Sequence, residues 1–131
     1  MTIVRSVTPI SVRYPEPNDN GAMRQLTLCR IEASDGTVGW GEAVTSWPDA
    51  CRATEAVIDG VAHELVVGRD PLDNIDIWRS CKRRAWWYGN HGGISSFALS
   101  AIDIALWDLK GKLLGVPVTQ LLGGAHHERL P

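Results

Sequence analysis

Residues 98–112 read ALSAIDIALWDLKGK. Small and apolar side chains recur in it at spacings of three and four, which predicts a helix with one buried face. We expect the helix to run from about Ser95 to Leu114, because Gly115 and Pro117 stop it. Small residues on the face would let another element approach closely. The predicted face consists of Ala98, Ala101, Ile102, Ala105, Leu109 and Lys112.

Two acids, Asp103 and Asp108, lie within this apolar helix. Buried acids need partners, and Lys112 follows Asp108 by four residues, which is the spacing of a helical ion pair. We interpret both acids as anchors that tie the helix to a neighbouring element. Paired acids can also serve as a general acid and base, so a catalytic role is the second interpretation.

The first part of the chain predicts strands. Residues 3–13 are rich in Val, Ile and Thr, and residues 24–33 alternate between two faces. Ser34-Asp35-Gly36 predicts a tight turn, after which residues 37–44 return as a third strand. Two prolines and an Asn/Asp cluster predict that residues 14–23 form neither ladder nor helix, but an exposed and mobile loop.

Two further helices are expected between these strands and residues 98–112. Ser46-Trp47-Pro48-Asp49 is a start signal, with the Ser46 hydroxyl as the cap, and Asp70-Pro71 starts the next helix. The predicted apolar faces are Ala50, Ala53, Val57, Val61 and Leu65 in the first, and Leu72, Ile75, Trp78 and Cys81 in the second. Strands followed by helices indicate an α+β domain: a three-stranded antiparallel β-meander followed by a three-helix bundle.

Composition excludes several classes of function. The 131 residues carry 13 Lys and Arg against 15 Asp and Glu, a net charge of −2. This balance argues against binding to nucleic acid or to an anionic membrane surface, and no apolar run is suited to cross a bilayer. Three widely spaced cysteines, Cys29, Cys51 and Cys81, predict reduced core thiols. With no signal-peptide pattern at the N-terminus, we expect a cytoplasmic protein.

Residues 98–123 resemble the signature of the mandelate racemase/muconate lactonizing enzyme family, within the enolase superfamily. The resemblance is carried by Ser100-Ala101-Ile102-Asp103, Ala105-Leu106, Asp108-Leu109, Gly111-Lys112, Pro117-Val118 and Leu121-Leu122-Gly123. Gly39-Trp40-Gly41-Glu42-Ala43 also fits, as does the order of three strands before three helices. The resemblance implies that Asp103, Asp108, Lys112 and Gly123 are structural residues.

The resemblance implies an enolase N-terminal-domain-like capping domain that closes over a (β/α) barrel. In such enzymes the barrel supplies the base and the carboxylates that hold Mg²⁺, and the metal stabilises the enolate formed when the proton α to a substrate carboxylate is removed. We expect residues 1–125 to form the capping domain and residues 126–131 to begin the linker to the barrel. A complete barrel needs roughly 200 residues, so it is absent from this chain. No catalytic residue, metal ligand or activity is therefore expected of the chain alone. His126-His127-Glu128 gives no metal site either, because adjacent histidines point apart.

Two segments would face the substrate by this resemblance. Residues 14–23 occupy the position of the family's mobile flap, and residues 44–49 that of its second specificity loop. The residues implied as substrate-facing are Tyr14, Asn18, Asp19, Asn20 and Trp47. Polar flap residues suit a hydroxylated substrate such as an acid sugar. Trp47 could instead staple the helix that follows it.

The expected partners are a barrel domain of the same enzyme, a carboxylate or acid-sugar substrate at the domain interface, and further copies in a homo-oligomer. The whole enzyme would be a dehydratase, racemase or cycloisomerase. The alternative is a stand-alone oligomerisation or binding module that has lost its barrel. A domain made to sit on a barrel should expose an apolar patch, for which the third helix and Trp86-Trp87-Tyr88 are the candidates.

Overall fold

The structure is a computed structural model that describes residues 1–89, 91–125 and 127. One antiparallel sheet, in the order β1-β2-β3, contains the strands β1 (Val4–Pro15), β2 (Met23–Ala33) and β3 (Val38–Val44). The helices that follow are α1 (Pro48–Leu65), α2 (Asn74–Arg84), α3 (Gly93–Leu114) and the short α4 (Val118–Leu121). A single 3₁₀ turn, Pro71–Asp73, precedes α2. The predicted α+β architecture, a β-meander followed by helices, is confirmed.

The sheet buries one face against the helices. The side chains of Thr27, Cys29 and Ile31, which the alternation of β2 places on one face, are fully buried. The pairing of β2 with β3 places Gly41 opposite Cys29 and Gly39 opposite Ile31, so the strand glycines lie on the same buried face. Helices α1 and α3 pack on this face and leave the opposite face of the sheet open.

Helix α3 packs directly on β3 because the strand presents glycines to it. A methyl group added at Gly39 would overlap the carbonyl oxygen of Ala105, and one at Gly41 would overlap that of Ala101. The close approach expected of this helix is therefore confirmed. Its predicted face is buried at Ala98, Ala101, Ile102, Ala105 and Leu109, whereas Lys112 is exposed.

Helix carboxylates cap backbone groups on both outer strands of the sheet. On β3, Asp108 Oδ2 accepts a hydrogen bond from the N–H of Trp40 at 2.8 Å and one from Lys112 Nζ at 2.6 Å. On β1, the N–H of Ser11 donates to Glu55 Oε1 of α1 at 3.1 Å. These contacts satisfy donors that an unprotected edge strand would offer to another chain.

Asp103 is in a different situation from Asp108. Its Oδ1 is buried and has no hydrogen-bond partner within the described part of the chain. Burial raises the pKa of this carboxyl, because the charged form loses hydration. Of the two acids that the sequence places in α3, Asp108 therefore makes anchoring contacts, whereas Asp103 is incompletely satisfied.

The predicted faces of α1 and α2 are partly wrong. In α1, Ala53 is exposed, and the buried residues are Cys51, Thr54, Ile58, Val61 and Ala62. In α2 the buried residues are Asn74, Ile77 and Cys81. Leu72, Ile75 and Trp78 are 39%, 45% and 37% exposed. The apolar pattern overlooks the buried polar residues; Asn74, for example, accepts a hydrogen bond from Lys110 Nζ at 2.9 Å.

All three cysteines are buried and free, so the prediction of reduced core thiols is confirmed. Burial raises the pKa of Cys29 to about 12 and that of Cys81 to about 11. At the surface, Trp86 and Trp87 are 71% and 79% exposed, and Phe97 and Ile104 of α3 are 40% and 47% exposed, so apolar side chains are exposed at both of the expected surface sites. Among the helices described, none combines the length and apolar character needed to span a bilayer.

Candidate functional site

The hairpin between β1 and β2 extends further than the sequence indicated. Tyr14 pairs with Arg24, and Pro15 pairs with Met23. The prediction that residues 14–23 form no ladder is therefore wrong at both ends of the segment. Pro15 has no backbone N–H, and it is tolerated because it is the last residue of the strand, where no further ladder bond needs a donor. We call residues 14–23 the flap.

Hydrogen bonds close the tip of the flap on itself. The N–H of Glu16 donates to the carbonyl oxygen of Ala22 at 2.8 Å, and the N–H of Ala22 donates to that of Asp19 at 2.8 Å. The Glu16 carboxylate also forms an ion pair with the guanidinium of Arg24. The flap is thus held at its base by the ladder and this ion pair, and at its tip by backbone hydrogen bonds.

The loop that joins β3 to α1 turns beside β2. Ser46 has a φ of 50°, and its N–H donates to the carbonyl oxygen of Gln25 at 3.1 Å. The cap of α1 is Trp47, without a side-chain hydrogen bond, so the prediction of Ser46 as the capping hydroxyl is wrong. The Trp47 side chain is 69% exposed, which leaves its ring at the surface beside the flap.

Buried hydroxyl and thiol groups support this loop from below. Thr45 Oγ1 lies 3.1 Å from Cys51 Sγ and 3.4 Å from Thr27 Oγ1. The three side chains belong to the loop, to α1 and to β2, so the contacts join all three elements. They fix the backbone immediately before Trp47.

A groove of about 440 Å³ lies between the flap and the β3–α1 loop, on the helix-free face of the sheet. Its floor contains alternate residues of the three strands, which point to one side: Tyr14, Arg24, Leu26, Glu42 and Val44. Its walls contain Glu16, Asp19, Ala22 and Met23 of the flap, and Ser46 and Trp47 of the loop. The strand alternation that buries Cys29 on one face therefore builds the groove on the other.

The structure brings together three of the five residues that the resemblance singled out. Tyr14, Asp19 and Trp47 line the groove, although they come from β1, the flap tip and the start of α1. Asn18 and Asn20 are exposed flap residues that do not line it. The residues at positions 18 and 20 are thus poorly placed to contact anything bound in the groove.

Three charged groove residues were not singled out from the sequence: Glu16, Arg24 and Glu42. Alternation puts Arg24 on the same face of β2 as Leu26. Glu42 joins them only because the register places it opposite Leu28. The sequence gives the alternation of each strand but not the register between strands, so this set could not be assembled from it.

The groove is acidic. Glu16 is neutralised by Arg24, whereas Asp19 and Glu42 have no ion pair or side-chain hydrogen bond within the residues described. Ionised carboxylates are hydrogen-bond acceptors only, and the Trp47 ring offers an apolar surface beside them. The groove can therefore accept hydrogen bonds from hydroxyl groups and pack against C–H surfaces.

Binding of a metal ion by the protein requires several ligating side chains close together. Over residues 1–89, 91–125 and 127, no group of three His, Cys, Asp or Glu side chains is placed to hold a metal ion. The sequence His126-His127-Glu128 was considered above as a metal site. Of its three residues, His126 and Glu128 lie outside the described part of the chain.

Comparisons with known proteins support the signature and the fold. The sequence model of the protein family described as the mandelate racemase/muconate lactonizing enzyme N-terminal domain matches residues 7–123. The chain is 42% identical over 114 residues to the D-galactonate dehydratase of Xanthomonas campestris pv. campestris. The matched region covers 85% of this chain and 28% of that relative. The chain thus spans less than a third of the length of this curated relative.

Two solved structures share the fold. A mandelate racemase/muconate lactonizing protein from Paracoccus denitrificans superposes with a TM-score of 0.83 at 38% identity, over 100% of this chain and 33% of that one. The 3,6-anhydro-D-galactonate cycloisomerase from Zobellia galactanivorans gives a TM-score of 0.80 at 32% identity, over 95% of this chain and 33% of that one. The chain belongs to the mandelate racemase/muconate lactonizing enzyme family, in which it corresponds to the N-terminal domain.

Proposed function

We propose that this chain is the substrate-capping and specificity domain of a Mg²⁺-dependent enzyme that abstracts the proton α to the carboxylate of an acid sugar. The groove carries the proposal. The flap and the β3–α1 loop, far apart in sequence, form its two walls on the face that the described helices leave open. A groove open on that side is suited to close over a site supplied by another domain.

Relatives support the substrate class. One is named as a D-galactonate dehydratase and another as a 3,6-anhydro-D-galactonate cycloisomerase. Both names denote hydroxylated sugar acids, and the groove offers acceptors for hydroxyl groups together with an apolar ring. Dehydration and cycloisomerisation are both open to this proposal, because the reacting groups would lie in a barrel domain.

In the proposed reaction, Mg²⁺ bound in the barrel would stabilise the enolate of the substrate carboxylate. The residues of this chain bind and orient the distal part of the substrate. Trp47 covers one side of the groove and Asp19 the other, so closure would exclude water from the site. Closure also holds the substrate in one orientation, which lowers the entropic part of the barrier.

The proposal also divides the chain by role. Residues 1–125 would form the capping domain, and residues 126–131 would begin the linker to the barrel. Asp103, Asp108, Lys112 and Gly123 would be structural, with the contacts of Asp108 to Trp40 and Lys112 as the supporting observation. Such enzymes would assemble as homo-oligomers in the cytoplasm.

Replacement of Trp47 tests the capping role in the enzyme that contains this chain. We expect Trp47→Ala to raise KM for D-galactonate and to lower kcat/KM about tenfold or more, because one aromatic contact is lost. Trp87→Ala is the matched control, since Trp87 is as exposed but lies outside the groove. If KM and kcat/KM are the same in the two variants, Trp47 does not contact the substrate.

A stand-alone oligomerisation or binding module is the second candidate. The exposed Trp86 and Trp87, whose rings meet edge to face with centroids 5.4 Å apart, favour it. Intact mass spectrometry of the polypeptide in its source cells separates the candidates. A mass near 14.3 kDa would support the module, and a mass about three times larger would support an attached barrel.

A further inference from the structure

We infer that the groove selects sugar acids whose distal end is a neutral hydroxymethyl group over sugar acids that carry a second carboxylate there. This inference rests on the proposed function and narrows its substrate class. It concerns the end of the substrate remote from the reacting carboxylate, which is the part that the flap and the β3–α1 loop would contact.

The charges that line the groove do not cancel. Four charged side chains line it: Glu16, Asp19, Arg24 and Glu42. Arg24 is the one cation among them, and its Nε is engaged by the Glu16 carboxylate. Asp19 on the wall and Glu42 on the floor remain without a cationic partner among the described residues. The groove therefore has a net charge of −2.

These two carboxylates suit hydroxyl groups. Each can accept hydrogen bonds and can donate none, so a distal polyol would donate to them. The floor beside Glu42 is apolar at Leu26 and Val44, which can pack against the C–H groups of the same sugar chain. A polyol presents both kinds of surface, O–H and C–H, along its length.

A second substrate carboxylate would meet the same two groups with the opposite result. It cannot donate a hydrogen bond, and its charge is repelled by Asp19 and Glu42. A single like-charge contact at about 4 Å reduces affinity at least about fivefold even at the dielectric constant of water, and more in a closed groove. Two such contacts give a preference of about tenfold or more. Arg24 offers weak compensation, because Glu16 already neutralises its charge.

D-Galactonate and galactarate test the inference, because they differ only at the terminal carbon, a hydroxymethyl group in one and a carboxylate in the other. Dissociation constants for both would be measured in the full-length enzyme with Mg²⁺ present. We expect galactonate to bind at least about tenfold more tightly at low salt, with the preference falling as salt screens the groove. Glu42→Gln and Asp19→Asn should each shift the ratio toward galactarate about threefold to tenfold.

Asp59→Asn is the control, since it removes one negative charge from an exposed position of α1 outside the groove. Its affinity ratio should equal that of the parent enzyme. Equal binding of the two acids, or a ratio that neither groove variant changes, overturns the inference and leaves the proposed function standing. Failure of the enzyme to bind either acid overturns the proposed function and the inference together.

Discussion

The carboxylate of Asp108 accepts a hydrogen bond from the backbone N–H of Trp40 at 2.8 Å, although 68 residues separate them in the sequence. The contact joins α3 to the middle of β3. Further along the same strand, Glu42 and Val44 form part of the groove floor. The hydrogen bond from Trp40 to Asp108 therefore helps to position the strand that carries one side of the candidate site.

Removal of the Asp108 carboxylate should destabilise the domain. We expect Asp108→Ala to lower the free energy of unfolding by about 1–2 kcal/mol, because the Trp40 N–H loses its acceptor. Lys112→Met removes the partly exposed ion pair with Asp108 and the exposed hydrogen bond from Lys112 Nζ to the carbonyl oxygen of Val38, and should cost less than about 1 kcal/mol. Urea unfolding of the chain measures both. A larger loss in the lysine variant would mean that the contacts of Lys112, rather than the hydrogen bond from Trp40 to Asp108, hold α3 in place.

The contact between β3 and α3 depends on the absence of a side chain at Gly41. We expect Gly41→Ala to cost about 1–3 kcal/mol, because the added methyl group overlaps the backbone of α3 at Ala101. Gly60→Ala is the control, since Gly60 lies in α1 with open space around it. That variant should gain about 0.5–1 kcal/mol from helix propensity. Unchanged stability of Gly41→Ala in urea unfolding would contradict the close packing.

Local pattern was sufficient to predict the three strands and the three long helices of this fold. Period-two alternation separated the two faces of β2, and small residues at helical spacing identified the buried face of α3. The pattern failed where the buried residues are polar. Thr54 and Asn74 occupy core positions, whereas the spacing of apolar residues assigns the buried face to other side chains. It also failed at Pro15, which has no backbone N–H but ends the ladder at a position where none is needed.

The candidate site was harder to predict because it depends on register and on loop conformation. Resemblance to a family drew attention to Asp19 and Trp47, but nothing local places them on two walls of one groove. Glu42 belongs to the site because it pairs across from Leu28. A shift of one residue would move its carboxylate to the opposite face.

The buried thiols should be unreactive in the folded chain. Burial raises the pKa of Cys29 to about 12, so at pH 8 about one molecule in ten thousand would carry the thiolate there. We expect a thiol reagent such as Ellman's to label Cys29, Cys51 and Cys81 only as fast as the chain unfolds. Ala56→Cys, at an exposed position of α1, should be labelled at once. Rapid labelling of all thiols in the parent chain would contradict their burial.

Replacement of Asp103 should stabilise the domain at neutral pH. Burial raises the pKa of this carboxyl, which means that the folded state holds the proton more tightly than the unfolded state. The resulting stability is fully present below the unfolded pKa, near about 3.9, and is lost as pH rises through the folded pKa. We therefore expect Asp103→Asn to raise the free energy of unfolding at pH 7 by about 1 kcal/mol, since the charged group is gone.

The same substitution should have little effect at about pH 3, where the parent Asp103 is itself protonated. Other carboxyls behave oppositely: a hydrogen bond from Arg30 lowers the pKa of Glu32, so its stabilising contribution is lost as pH falls. That loss is common to parent and variant, so their difference in urea unfolding from pH 3 to pH 7 isolates Asp103. Asp59→Asn, at an exposed position, should show no such pH-dependent difference. Lower stability of Asp103→Asn at pH 7 would show that the Asp103 carboxylate makes a net favourable contact in the folded chain.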